Sequence, residues 1–146
     1  MRYKNPALTA DVIIEKNGKI LLVRRNKKPF VGKLDTPGGF VNYGETVEHA
    51  AIREAKEETG LDVKLVDILG VYSDPKRDPR KHVVTVMFIG KILRGKPRVN
   101  DKTEVRYVSF YDMKKLKKEE LGFDHYKIIR DYLKHKKEKG TYWSTK

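Results

Sequence analysis

Glu54, Glu57 and Glu58 crowd into one short stretch of a chain that is otherwise strongly basic, with 33 Lys and Arg against 20 Asp and Glu. Clustered carboxylates at such spacing can hold a hard divalent cation. They can also be an ordinary solvated helix surface, and the helical wheel separates the two readings. Advancing about 100° per residue from Val47 places all three glutamates with Val47, Ala50 and Ala51, with Ala55 at the edge. Glu48, His49 and Lys56 fall opposite. Acids on an inward stripe repel one another and lose hydration. A shared cation removes both costs. Mg²⁺ suits the task, because it prefers carboxylate and water oxygens and commonly bridges to substrate phosphate. Mn²⁺ can take the same ligands. Residues 39–61 hold five acids and two bases, an acidic island in a chain of net charge +13. Arg53 stands at i, i+4 from Glu57 and can hold that carboxylate without occupying the metal position.

These side chains need a rigid frame. The pattern predicts strands over Ala7–Ile14 and Ile20–Val23, joined through the Asn17-Gly18 hairpin signal. A basic loop, Lys27–Lys33, leads to the turn Asp35-Thr36-Pro37-Gly38-Gly39 and a short strand. The acidic helix should start at Glu45 or Thr46 and stop at Gly60, a natural C-terminal cap. Strands are expected over Asp62–Tyr72, His82–Ile92 and Glu104–Phe110. The two-proline stretch Ser73–Lys81 lies between the first two as a loop. A short helix is expected at Asp112–Lys118, and an amphipathic helix from Asp124 to about Lys137. After Gly140 the chain is expected to fray. The whole reads as one α/β domain over residues 1–146, a mixed sheet between helices.

Gly39, Glu45 and the run Arg53-Glu54-Ala55-Lys56-Glu57-Glu58-Thr59-Gly60-Leu61 resemble, residue by residue, the signature of the Nudix hydrolases. That resemblance implies an αβα sandwich and hydrolysis of a nucleoside diphosphate linked to another moiety. It implies that Glu54, Glu57 and Glu58 bind metal, with the Gly38 carbonyl as a further ligand. It also implies that Glu45 and Arg53 brace loop and helix. The base that deprotonates the attacking water varies in the family. It is either a glutamate of this helix or one downstream, for which Glu104 is the candidate; Glu119 and Glu120 read more simply as solvated charges. One departure is Leu34-Asp35-Thr36, where the family often has an aromatic residue and then Leu. It is expected to affect packing or the substrate rim only.

Pro75, fifteen residues after Gly60, and Phe123-Asp124-His125 before the last helix are similar to the ADP-ribose pyrophosphatase group. The implied reaction is ADP-ribose plus water to AMP plus ribose 5-phosphate. Arg77, Arg80 and Lys81 are candidates for phosphate or ribose. Tyr72, Phe30 and Tyr43 are candidates to stack on adenine. His125 reads as a helix-start residue, and Trp143 as a residue outside the monomer core. Dinucleoside polyphosphates, (d)NTPs and nucleotide sugars remain alternative substrates.

With no cysteine, disulfides, Cys–zinc sites and a Cys nucleophile are excluded. No apolar run approaches a membrane span, and Met1–Asn5 lacks a signal core, so a soluble cytoplasmic protein is expected. Lys in excess of Arg and the absence of Gln resemble heat-adapted composition. The basic surface attracts anions. Nucleic-acid binding is not favoured, because no basic motif is interleaved with aromatics. A sensor role for ADP-ribose usually goes with a damaged signature, and here it is intact. A homodimer is expected by analogy with the family.

Overall fold

The computed structural model describes residues 3–146. Met1 and Arg2, part of the N-terminal stretch read above, lie outside them.

Two long strands, β1 (Ala7–Lys16) and β2 (Lys19–Arg25), form the expected hairpin. Its turn places Asn17 at φ 53° and Gly18 at φ 77°. That pair of positive angles matches the right-handed twist of the strands and is why Asn-Gly suits this turn. The chain then makes β3 (Leu34–Asp35), β4 (Gly38–Phe40), α1 (Val47–Thr59), β5 (Asp62–Tyr72), β6 (Val83–Arg94) and β7 (Val105–Asp112). A 3-10 turn (Lys118–Glu120), α2 (His125–Glu138) and β8 (Tyr142–Trp143) complete it. The strand path is β3-β2-β1-β6-β5-β8, with β4 paired to β1 and β7 to β2. β1 and β6 run parallel and most other pairs antiparallel, so the sheet is mixed. A parallel pair is normally buried on both faces, and β1 is.

That double burial explains the alternation along β1. Ala10, Val12 and Ile14 pack with Ala50, Ala51 and Ala55 of α1. Ile13 faces the other way, into the cluster built with Ile128, Ile129 and Tyr132 of α2. The sheet thus lies between the two helices, the αβα arrangement expected.

Two sequence expectations need correction. The helix expected at Asp112–Lys118 does not form. Asp112 ends β7, and its side chain accepts from the Lys114 N–H at 3.0 Å. The segment after Gly140 does not fray. It forms β8, pairs with Gly70 and Val71 of β5, and buries Tyr142. Gly70 permits the approach, since a Cβ there would lie 1.9 Å from the Tyr142 carbonyl oxygen. The Ser144 hydroxyl, accepting from Ser73 and Asp74 N–H groups, ties the tail down further. Trp143 is half-exposed, as expected for a residue outside the core.

Candidate active site

Helix α1 is fixed at both ends by its own sequence. The Thr46 hydroxyl accepts from the His49 N–H at 3.1 Å, and Gly60 caps the other end at φ 76°. A side chain would be strained there. Helix α1 then lays Glu54 and Glu58 against the Gly38-Gly39 strand. The Gly38 N–H donates to Glu58 Oε1 at 2.8 Å. A Cβ at Gly39 would lie 2.4 Å from the Glu54 carboxyl carbon. A side chain at position 39 would therefore displace the Glu54 carboxylate.

Arg53 organises the acids. Its guanidinium donates to Glu45 at 2.7 and 2.8 Å, to Glu54 at 2.9 Å and to Glu57 at 3.3 Å. It also reaches the Phe40 carbonyl at 3.1 Å. Arg53 and the Asn42 N–H hold the Glu45 carboxyl far below its ordinary range. The pair ties the residue 42–45 loop to α1. Burial pushes Glu54 up, and the nearby Glu57 and Glu104 charges add to it against Arg53. Burial pushes Glu58 up strongly, with Glu54, Asp35 and Asp11 adding repulsion against the single Gly38 N–H. Glu57 stands apart from this pair. It lies at the rim of the inward stripe with its side chain 57% exposed, so the wheel placed it too far inside.

Glu54 and Glu58 line a cavity of about 210 Å³ with Gly38, Gly39 and Glu104. Glu104 sits on its rim, paired to Lys27 at 2.7 Å. Two neighbouring carboxylates that burial disfavours as anions offer oxygen ligands of the kind a hard divalent cation takes. Among the described residues no three acidic or histidine side chains converge as a ready-made metal cage.

The opposite wall was not legible as a site in the sequence. His125, at the start of α2, is buried at the cavity floor. Its Nδ1 lies 2.7 Å from Asp35 and its Nε2 lies 3.6 Å from Asp11. Burial would lower its pKa, but Asp35 and Asp11 outweigh that and push it up to about 10. Burial likewise would raise Asp35, yet His125 and Arg25 hold it below the ordinary range. For Asp11 burial wins, and its carboxyl is raised. The Thr36 N–H lies 3.3 Å from the same Nδ1. On a doubly protonated ring that nitrogen donates to Asp35 and cannot accept from Thr36. Arg25 donates to Asp35 at 2.8 Å and to the Pro29 carbonyl at 2.6 Å, leaving its other terminal nitrogen buried and unpaired. Asp35 belongs to the departure from the family pattern noted above, and it sits in the cavity itself. The one sequence signal was Asp11, an acid in the middle of an apolar strand.

A pH prediction follows from this pair. His125 has a folded pKa above its unfolded value, so its contribution is complete below about pH 6.5 and lost as pH rises through about 10. The stability gap between wild type and His125→Gln, from urea titrations, should narrow steadily across that window. A constant gap would refute the buried imidazolium.

Several expected substrate contacts move. Tyr72 is fully buried, and its hydroxyl donates to Asp131 at 2.9 Å. It is a core residue and cannot stack on a ligand. Tyr72→Phe should cost about 1–2 kcal/mol. That lowers the thermal midpoint by about 2–8 °C without changing KM. Arg77 is also buried, its guanidinium spent on two bonds to Asp124 at 2.9 and 2.8 Å. Through Nε and one terminal nitrogen it fastens the 73–82 loop to α2, and it lines the cavity from that loop. Tyr43 is fully exposed and lines neither this cavity nor its neighbour. Arg80 does reach the cavity. It is bound to Asp78 at 2.7 Å and lies over the rings of Phe40 and Phe123 at 5.4 and 5.9 Å. Lys81 lies over Phe40 at 5.1 Å. Phe30 packs edge-on against Phe123, with centroids 4.8 Å apart, and borders an adjoining cavity.

Comparison with known proteins agrees with this geometry. The NUDIX domain profile matches residues 5–132. The chain is 49% identical over 134 residues to an ADP-ribose pyrophosphatase of Methanocaldococcus jannaschii, covering 92% of this chain and 77% of that one. An ADP-ribose pyrophosphatase structure from Streptococcus suis superposes with TM-score 0.77 at 26% identity, covering 95% and 98% of the two chains. The NUDIX domain of Shewanella oneidensis NrtR, solved with ADP-ribose, superposes with TM-score 0.76 at 25% identity, covering 91% and 90%. With its profile matched over most of the chain and a relative 49% identical over 92% of it, the chain belongs to the Nudix family of hydrolases.

Proposed function

We propose that this protein hydrolyses ADP-ribose to AMP and ribose 5-phosphate with Mg²⁺ as cofactor, Mn²⁺ being able to replace it. The observation that carries the reading is the two-sided cavity. Glu54 and Glu58, both disfavoured as bare anions, share the cavity with the cationic groups of Arg25, Lys27 and His125, which are paired to Asp35, Glu104 and Asp11. A diphosphate with bound cation complements both sides. The relative from M. jannaschii, named for this activity, supports the choice of substrate.

Glu54 and Glu58, with Glu57 and the Gly38 carbonyl, are the groups proposed to hold the ion. When bound, it neutralises phosphate charge and lowers the pKa of a coordinated water. The chain's own work is then positional. Arg53 keeps the glutamates apart and oriented. Arg25, with one terminal nitrogen unpaired, offers donors to phosphate oxygens. Glu104, on the cavity rim, is the proposed base. Water adds to one phosphorus, its proton passes to Glu104, and the other phosphate leaves with the bridging oxygen.

A panel tests the assignment: ADP-ribose, a dinucleoside polyphosphate, dNTPs and UDP- and GDP-sugars, each with Mg²⁺. ADP-ribose should give the highest kcat/KM by about ten-fold or more. A higher value for any other member would replace it as substrate. Glu104→Gln should lower kcat by about 10²–10⁴-fold if it is the base. Retained turnover would pass that role to α1.

A further inference from the structure

Arg130, Lys134 and Lys137 recur at i, i+4 and i+7 along α2, and all three are exposed. Beside this basic stripe runs an apolar one, Tyr126, Ile129 and Leu133 at i, i+3 and i+7. The core takes only part of the second stripe. Ile129 is buried, whereas Tyr126 and Leu133 are half-buried against it. The segment after β7 comes up alongside and brings Met113, Lys114 and Leu116. Between the segment and the helix lies a groove of about 330 Å³. Met113, Leu116, Ile129 and Leu133 form its floor, and Lys114, Arg130, Lys134 and Lys137 its rim.

The charge in this groove is of one sign. The catalytic cavity and the two cavities that share walls with it all carry carboxylates. This groove carries none, and the acids next to it in sequence, Asp112, Asp131 and Glu138, do not line it. Among the described residues the ammonium groups of Lys114, Lys134 and Lys137 have no hydrogen-bond or ion-pair partner. Arg130 reaches only the Tyr126 hydroxyl, at 3.5 Å, and lies over the same ring at 5.7 Å. The helix dipole favours cations in the last turn of α2, which accounts for Lys137. It does not account for Arg130, two turns earlier, or for Lys114 on another segment. Unpaired bases around an apolar floor leave two costs standing, self-repulsion and apolar surface in water. A ligand both acidic and apolar removes both.

We propose that this groove is a docking site for an acidic amphipathic helix of a partner protein. Charge complementarity selects an anionic partner, and the floor selects one with an apolar face. Leucines one turn apart on the partner would lie over Leu116 and Leu133. Glutamates on its flanks would meet Lys114 on one side and Arg130 and Lys134 on the other. Helices pair along matching stripes of this kind. Single-stranded nucleic acid fits less well, because it binds through stacked bases and the one aromatic ring here has Arg130 over it. A lipid surface also fits less well, because the apolar side chains pack down on the core as a floor and do not protrude. A second copy joined through the same face would set like charge against like.

The probe is a labelled, end-capped peptide of about fourteen residues, four turns of helix, with leucine on one face and glutamate flanking it. Its binding to the full chain is read by fluorescence anisotropy at about 0.15 M salt. It is compared with a twin in which every glutamate is glutamine, with an oligouridylate and with vesicles containing phosphatidylserine. The acidic peptide should bind wild type at least about ten-fold tighter than its twin. Lys134→Glu with Lys137→Glu should weaken it by about ten-fold or more. Leu133→Gln should weaken it about five-fold without changing net charge, and Leu116→Gln serves if that variant fails to fold. Lys91→Glu with Lys96→Glu makes the same charge change at exposed positions outside the groove and should leave affinity within about two-fold. An acidic peptide that does not bind overturns the proposal. Equal weakening by the two charge-reversed pairs means unspecific attraction to a chain of net charge +13 and overturns it too. Affinity unchanged in the folded leucine variants removes the apolar face and has the same consequence. Tighter binding of the RNA or the vesicles, released by Lys134→Glu with Lys137→Glu, replaces the helix with that partner. None of these readouts involves turnover, so the outcome is independent of the substrate.

Discussion

Glu58→Gln should lower kcat by about 10³-fold or more while the protein stays folded. The change keeps the shape and leaves an acceptor oxygen for the Gly38 N–H, now at 2.8 Å. It removes the charge that a cation would need. The size follows from the loss of a metal ligand at a reaction whose charge stabilisation rests largely on that metal. Stability should move the other way. Burial raises the Glu58 carboxyl well above its ordinary value. Such a group contributes stability that is complete below its unfolded pKa and lost as pH rises through the folded one. At pH 8 without divalent cation, the glutamine variant should therefore melt no lower than wild type. Cation should reverse the order. At about a hundred-fold excess over its Kd, binding adds about 2.7 kcal/mol. For a chain of this size that is about 5–11 °C. Wild type should show this shift and Glu58→Gln should lose most of it. Near-normal turnover in the variant, or an undiminished cation shift, would remove Glu58 from the site. Glu57→Gln is the informative comparison. Its side chain is more than half exposed and touches only Arg53 among the described residues, so its loss should cost less than that of Glu58.

Arg53→Ala should be the second most damaging change, lowering kcat by about 10²-fold and also lowering the thermal midpoint. The residue has no proton or electron pair to give to the reaction. Its effect comes from position: one guanidinium spans Glu45, Glu54 and Glu57 and the Phe40 carbonyl. Without it, Glu54 and Glu57 repel across one turn of helix with Glu45 close by, and Glu54 loses the only positive charge bonded to it among the described residues. Arg53→Lys should recover the fold better than the activity, because an ammonium cannot make parallel bonds to several carboxylates at once. A kcat within two-fold of wild type in the alanine variant would show that the brace is dispensable. Kinetics as a function of cation concentration separate the two roles. A positioning residue raises the cation requirement, whereas a purely structural one lowers the midpoint alone.

How much of this was legible beforehand depends on how local each feature is. The acidic helix could be read with its caps, its Arg53–Glu57 contact and an inward acidic stripe, because residues at i, i+3 and i+4 meet whatever the rest of the chain does, whereas the Glu45–Arg53 brace was implied by the family resemblance. Thr46 and Gly60 mark its ends for the same reason. The Asn17-Gly18 turn followed from its own dihedral preferences. Where a local signal met a competing contact, the reading failed. β5 offers Gly70 to a tail that then becomes a strand. The wheel also ignored where the helix meets solvent, and Glu57 proved to lie outside.

Tyr72, Arg77 and His125 show the limit most clearly. In the sequence the first two sit on or beside a proline-rich loop and look accessible, and His125 looks like the start of a helix. Sequence alone determined the family, the sheet between helices and the carboxylates of α1, because short-range periodicity and spacing suffice for these. Only the tertiary structure decided that Tyr72 and Arg77 are spent on Asp131 and Asp124, and that Asp11, Asp35 and His125 meet at one cavity floor. Those contacts join distant parts of the chain, and burial decides which charged groups must pair there, a quantity no local pattern carries.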